Sequence, residues 1–195
     1  MSKPKFTIDD SRFTSRDSRF TIDVSRLEIN LAKLERAEAE RTDENYYFKE
    51  HLDRLDGNHV DKLVNTLNEE IAPKIDCTAC GNCCKSLMVN ITQPEVERLS
   101  VFLEMDVDSL KEKYVETSQQ GDMMVLNTIP CHFLKGTSCS IYEHRFTECR
   151  DFPALHRGNF KERLFSTFMH YGRCPIIYNV VEELKTQTGF RKIDR

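Results

Sequence analysis

The chain has 195 residues, of which 39% are hydrophobic and 31% charged, and its formal net charge of −4 argues against nucleic-acid binding, which requires a basic surface. Its apolar stretches, such as residues 174–178, are far shorter than the ~20 residues of a membrane-spanning helix, so we expect no membrane association. The polar N-terminus MSKPKFTIDDSRF lacks the apolar segment of a signal peptide, which predicts a cytoplasmic protein with reduced thiols.

The first 35 residues contain a repeat with a period of seven. Its apolar members are Phe6, Phe13, Phe20, Leu27 and Leu34. Before Val24 the repeat units are rich in Ser, Thr and Asp, a composition that fits a flexible tail, a short strand or a docking segment. We assign residues 1–23 to a flexible or repeat-containing tail.

Residues 24–75 predict a helical arm, because apolar residues recur there at spacings of three and four. Those residues are Val24, Leu27, Leu31 and Leu34, then Phe48, Leu52 and Leu55, then Val60, Leu63, Val64 and Leu67. Gly57-Asn58 separates the second stretch from the third, and the third stops near Pro73. We expect this arm to mediate self-association or to bind a protein partner.

Residues 76–195 form the predicted cysteine-cluster domain, because every cysteine lies between Cys77 and Cys174. Thr92 to Glu95 fits a capping box that opens a helix, and Asp106 or Asp108 starts another. We predict strands at residues 123–126 and 165–171 and a closing helix at residues 180–185. The predicted fold class is α+β, a small cysteine-rich domain stapled by metal with a helical N-terminal arm.

The run Cys77-x-x-Cys80-x-x-Cys83-Cys84 is the most informative feature of the sequence. Two cysteines separated by two residues can aim both sulfurs at one ion, and Gly81 permits the tight turn that such a knuckle needs. Adjacent side chains usually diverge, so Cys83 and Cys84 rarely share one tetrahedral ion. The run therefore predicts two metal sites or one multinuclear cluster.

Four further cysteines complete the supply of thiolates: Cys131, Cys139, Cys149 and Cys174. Eight thiolates match two four-coordinate sites, or one iron–sulfur cluster with a separate mononuclear site. The Cys80-Gly81 knuckle favours zinc, whereas the repeated spacing and the remote Cys174-Pro175 favour iron–sulfur. Buried inert thiols and disulfides are the less favoured alternatives.

The segments CTACGNCC and CHFLKGTSCSIYEHRFTECRDFP, with Cys174, resemble the CxxCxxCC or YkgJ-like cysteine-cluster family, a zinc- or iron-chelating domain. The resemblance spans about Cys77 to Pro175 and implies that all eight cysteines are metal ligands. The chain departs from the usual Arg-Pro of the family at Arg145-Phe146. A relative, the flagellin lysine methylase, pairs a similar region with methyl transfer.

Polar residues close to the cysteines suggest supporting roles. His132, His144 and His156 fit surface or packing positions better than ligand positions, while Arg145 and Arg150 flank Cys149 and would favour thiolates. No residue pattern supports a particular catalytic site. We therefore predict a metal-binding protein, with an iron–sulfur methyl-transfer enzyme or a zinc-stapled interaction module as alternatives.

Overall fold

The computed structural model describes residues 22–119, 121 and 123–191. The repeat members Phe6, Phe13 and Phe20, and nearly all of the predicted tail, lie outside the described residues. In the described part of the chain, no helix has the length and apolar character needed to cross a bilayer.

The described residues form a mixed α and β structure in which helix predominates, and this confirms the α+β fold class. The helices are α1 (Leu31–Glu40), α2 (Thr42–Asp53), α3 (Gly57–Ile71), α4 (Cys77–Cys80), α5 (Asn82–Ser86), α6 (Gln93–Phe102), α7 (Val107–Tyr114), α8 (Thr147–Asp151), α9 (Leu164–Phe168) and α10 (Pro175–Gln187). The strands are β1 (Asn90–Ile91), β2 (Val115–Thr117), β3 (Met124–Leu126), β4 (Leu134–Lys135) and β5 (Ser138–Cys139).

The larger buried cluster, which we call the helical core, joins α2 and α3 to α10 at the other end of the chain. Its members are Ala37, Phe48, Leu52, Val60, Leu63, Val64, Leu67, Ile71, Ile75, Leu155, Phe160, Leu164, Tyr171, Cys174, Ile176, Ile177, Val180, Val181 and Leu184. The apolar stripe of α3 recurs at intervals of three and four residues, so one face of the helix is buried along its whole length. The apolar faces of α3 and α10 therefore lie against each other.

Buried charges also fix α10 against the first two helices. Lys185 is 5% exposed, and its Nζ lies 2.6 Å from Glu44 and 2.7 Å from Glu182. Glu182 also accepts a hydrogen bond from the hydroxyl of Tyr171 and pairs with Arg41. Because buried charges are tolerated only when paired, this cluster restricts how α10 can sit.

The helix predicted from Val24 begins later, at Leu31. Residues 24–26 form one 3-10 turn, and the chain then stays extended up to Asn30, whose side chain caps α1 by accepting the backbone N–H of Lys33. The buried Asn179 explains the extended segment, because its side chain accepts from the backbone N–H of Glu28 and donates to its carbonyl. A helix there would need those same backbone groups for its own hydrogen bonds.

The smaller buried cluster, which we call the sheet core, lies between the strands and helices α6 and α7. Its members are Val89, Ile91, Val96, Leu99, Leu110, Leu126, Phe133, Ile141 and Phe146. Strand β3 is central, with β1 and β2 both antiparallel to it, while β4 and β5 form a separate hairpin. Every strand has two or three residues, so the sheet supplies little stability of its own.

Most of the predicted elements around the sheet core are confirmed. Thr92 and Glu95 form the predicted capping box at the start of α6, and Asp106 caps α7 through the N–H of Ser109. Strand β3 lies within the predicted residues 123–126, and α10 contains the predicted closing helix.

The strand predicted for residues 165–171 is wrong, because the chain forms helix α9 there. Leu164 and Thr167 are buried and Phe168 packs on the helical core, whereas Phe165 is 75% exposed. This spacing of three and four matches a helix, while a strand would bury every second residue.

Candidate metal centre

The cysteine run folds as two single helical turns joined by a sharp bend. Helix α4 begins at Cys77, where the side chain of Asp76 accepts the N–H of Thr78 at 2.8 Å, and it ends at Cys80. Gly81 then adopts a left-handed conformation with φ of +59°, after which α5 carries Cys83 and Cys84. The run therefore carries two thiols on the helical turn before the bend and two on the turn after it.

Gly81 also lets the β4–β5 hairpin approach the run. A Cβ atom at this position would lie 2.5 Å from the carbonyl oxygen of Thr137, a distance that real Cβ atoms do not show. Only glycine combines the left-handed conformation with this close backbone contact. The turn of the hairpin thus packs directly on the bend of the cysteine run.

Three cysteines lie beside the sheet core. The backbone N–H of Cys131 donates to the carbonyl of Cys84 at 2.9 Å, and Cys139 on β5 pairs with Leu134 on β4. Cys149 lies in α8, and all three side chains pack against the sheet core. The thiol of Cys84 interacts electrostatically with each of these three thiols.

Cys174 lies on the other side of the run, where it precedes α10 and belongs to the helical core. The side-chain amide of Asn82, between the two halves of the run, donates to the carbonyl of Arg173 at 2.9 Å. The thiol of Cys174 interacts electrostatically with those of Cys77 and Cys80, and also with that of Cys83.

The adjacent thiols of Cys83 and Cys84 lie at the meeting point of these contacts, with 4.0 Å between their sulfur atoms. A cavity of about 560 Å³ opens there, and six of the eight cysteines line it: Cys77, Cys83, Cys84, Cys131, Cys139 and Cys149. All eight thiols are free. Among the described residues, no group of three or more Cys, His, Asp or Glu side chains is placed so that it could hold a metal ion.

A comparison with protein-family models assigns the cysteine-rich segment to a family. The model of the family named CxxCxxCC, described as a "putative zinc- or iron-chelating domain", matches residues 76–171. Residues 76–171 are a CxxCxxCC domain. No curated protein and no solved structure matches the chain.

The match confirms the family resemblance seen in the sequence, with one difference at its C-terminal end. It begins one residue before Cys77, but it stops at residue 171, whereas we expected it to extend to Pro175. Cys174 and α10 consequently lie outside the CxxCxxCC domain, as do helices α1 to α3. The family description supports a metal ion, zinc or iron, as the ligand.

The chemistry of the donor set fits such an ion. The thiols outnumber every other candidate ligand around the cavity, and thiolates bind zinc and iron–sulfur clusters well while Mg²⁺ and Ca²⁺ prefer oxygen. Cys131 precedes the β4–β5 hairpin and Cys84 lies in α5, and a backbone hydrogen bond joins the two residues. An ion bound between these two thiols would therefore be held by segments that are already joined.

Burial keeps most of the eight thiols protonated in the absence of metal. Burial raises the pKa of the Cys149 and Cys174 thiols to about 12, and burial also raises the pKa of Cys77. Cys84 differs, because a hydrogen bond from Cys83 and the nearby charge of Arg145 lower its pKa. Metal binding at Cys77, Cys149 and Cys174 must therefore release protons.

The charge of Arg145 acts on three of the thiols, those of Cys77, Cys84 and Cys139. Its guanidinium carbon lies 3.8 Å from the ring centre of Tyr142, and its charge opposes the raised pKa of Cys77 and Cys139. Arg150 holds the backbone of this segment by donating to the carbonyls of Arg145 and Glu143. The supporting role expected for the two arginines is thus divided, since Arg145 faces the thiols and Arg150 fixes the loop.

The three histidines flagged by the sequence occupy different surroundings. His132 hydrogen-bonds to Asn127 at 2.7 Å, and His144 stacks on Phe102 with 4.0 Å between ring centres. His156 alone lines the cavity. The first two therefore have the packing roles that the sequence favoured.

Sequence reasoning missed two residues that position the cysteines. Asn82 ties the run to the segment before Cys174, and Glu95 accepts the backbone N–H of Thr147 at 2.7 Å, which fastens α8 and Cys149 to α6. The capping box identified Glu95 as a helix-start residue, but nothing in the local pattern revealed its second partner 52 residues away.

Proposed function

We propose that this chain is a metal-binding protein that coordinates zinc or iron through its eight cysteines, in more than one metal centre. The observation that carries the proposal is the convergence of eight free thiols on the bend at Gly81. Three remote segments supply the other thiols: one carries Cys131 and Cys139, one Cys149 and one Cys174. Hydrogen bonds join the first and the last of these segments to the run, and Cys149 lines the same cavity as Cys84. Inert buried thiols would have no reason to gather in this way.

The metal is also part of the fold in this proposal. The sheet core is small, its strands are very short, and three cysteines cover one of its edges. A structural thiolate site can supply on the order of 10 kcal/mol to folding, which exceeds what so small a core offers. A reducing, cytoplasmic setting belongs to the same proposal, because it keeps the thiols available.

The test is to purify the full chain without oxygen and to measure its metal content, acid-labile sulfide and absorption spectrum. Zinc binding predicts a colourless protein with more than one zinc per chain, while an iron–sulfur cluster predicts a brown protein with iron and sulfide. The control is the same protein after treatment with chelator and reductant. Metal content no greater than in this control would refute the proposed function.

A further inference from the structure

The two buried cores divide the remote cysteines. Cys131, Cys139 and Cys149 pack against the sheet core, whereas Cys174 is a member of the helical core. These contacts are made with the hydrophobic side chains of the two cores. The fold therefore presents three remote thiols from one side of the run and one from the other.

The cysteine run itself is fastened separately to each side. The carbonyl of Cys84 accepts the N–H of Cys131, while Asn82 donates to the carbonyl of Arg173 beside Cys174. Gly81 lies against Thr137 of the hairpin, so the bend cannot move closer to the hairpin without a clash. The run is thus held between the two sets of remote cysteines.

Most electrostatic contacts between the thiols follow the same division. Cys83 interacts with Cys77 and with Cys174, whereas Cys84 interacts with Cys131, Cys139 and Cys149. Two contacts cross from one set to the other, because Cys77 and Cys83 both interact with Cys84 as well. Cys80 lies in α4 together with Cys77, so each of the two sets contains four thiols.

We infer, on the basis of the proposed function, that the chain holds two separate four-thiolate centres and that the boundary between them falls between Cys83 and Cys84. The first centre is bound by Cys77, Cys80, Cys83 and Cys174. The second centre is bound by Cys84, Cys131, Cys139 and Cys149. Each thiol gives up its proton to solvent when it binds the metal, and four thiolates satisfy a tetrahedral ion or one iron–sulfur cluster.

The two centres differ in what supports them. The second is contained within the CxxCxxCC domain, whose matched residues end before Cys174. The first takes its fourth ligand from the start of α10, which packing on α3 and the ion pair of Lys185 with Glu44 hold in place. The first centre therefore needs residues outside the family domain.

The experiment uses single and double cysteine variants of the full chain, each saturated with the metal found in the wild type. Cys174→Ser and Cys83→Ser should each lose half of the wild-type metal, and the double variant of these two should lose no more than half. Cys83→Ser combined with Cys139→Ser should lose all of it. Two substitutions in the same centre should lose no more metal than one, because the ligands of a centre act as a unit. Substitutions in different centres should have additive effects on metal content.

A second measurement avoids variants that fail to fold. Wild-type protein loaded with half of its saturating metal is alkylated, and the protected cysteines are identified by mass spectrometry. Molecules with four protected thiols should show only one or other of the two inferred sets. Protection of mixed sets, such as Cys83 with Cys139, would overturn the division while leaving metal binding intact. A wild type without metal would instead refute the proposed function itself.

Discussion

The helical core and the sheet core are built differently, although both border the same eight thiols. The helical core contains nineteen buried residues and joins helices from both ends of the chain, whereas the sheet core contains nine. Three partly buried cysteines pack against the sheet core, whereas the single cysteine of the helical core is buried. We therefore expect the sheet core to depend on metal for its stability and the helical core to persist without it.

Metal removal should reveal the largest difference between the two cores. Chelation should remove about 10 kcal/mol of stabilisation for each closed thiolate site, more than the sheet core can replace by burial. Amide hydrogen exchange in β3 and the β4–β5 hairpin should rise to the rate of an unfolded chain, while α3 and α10 keep their protection. Equal loss of protection in both cores would contradict the comparison.

The next largest effect should come from leucine truncation in each core. Leu67 and Leu110 are each 1% exposed, so replacing either by alanine should lower the free energy of unfolding by about 2–5 kcal/mol. Leu67→Ala should weaken metal retention by the first centre and Leu110→Ala by the second. Chemical denaturation with metal analysis measures both effects, and identical metal loss in the two variants would show that the cores act together.

A smaller effect is expected at the bend that joins the cores, where two glycines form a matched pair. Gly81 and Gly136 both have positive φ, but a Cβ at Gly136 meets nothing within 4 Å. Gly136→Ala should cost about 1–2 kcal/mol through the left-handed backbone alone. Gly81→Ala should cost about 1–3 kcal/mol more because of the clash with Thr137, and it should reduce metal affinity. Equal melting temperatures for the two variants would argue against the close contact between Gly81 and Thr137.

The smallest predicted effect concerns Glu95, which joins α6 to α8. Burial alone would raise the pKa of this carboxyl, but hydrogen bonds from Thr147 and Thr92 outweigh burial and lower it. Its contribution should be full above the unfolded pKa of about 4.3 and should vanish as the pH falls through the lower folded pKa. Glu95→Gln should therefore cost about 1 kcal/mol at neutral pH and progressively less in acid.

The matched control for this prediction is Glu97→Gln on the exposed face of the same helix. Glu97 accepts only a side-chain hydrogen bond from Gln93, so its replacement should change stability by less than about 0.5 kcal/mol. Denaturant titrations of both variants between pH 3 and pH 7 measure the difference. A constant difference across this range would show that the charge of Glu95 does not contribute.

The sequence predicted those parts of the fold that depend on local patterns. The capping box at Thr92 and the cap at Asp106 each require residues within one turn, and both are confirmed. The errors occurred where remote residues decide the local structure. Asn179 keeps the chain extended at Glu28, and the helical core selects a helix in place of a strand at Leu164.

The same distinction applies to the candidate site. The spacing of the run identified the cysteines and predicted more than one centre, because adjacent thiols diverge. It could not show how Cys83 and Cys84 would be divided, since that depends on which core holds each remote cysteine. The role of Glu95 in holding α8 was equally hidden, because its partner Thr147 is remote in sequence.

The burial of Cys174 has a consequence for the rate at which metal exchanges. Among the eight cysteines, all of them in the described part of the chain, Cys174 alone is buried, and neither it nor Cys80 lines the cavity. All four ligands of the second centre line the cavity, whereas only Cys77 and Cys83 of the first centre do. A competing chelator should therefore empty the second centre faster than the first, because the first must also release the buried Cys174.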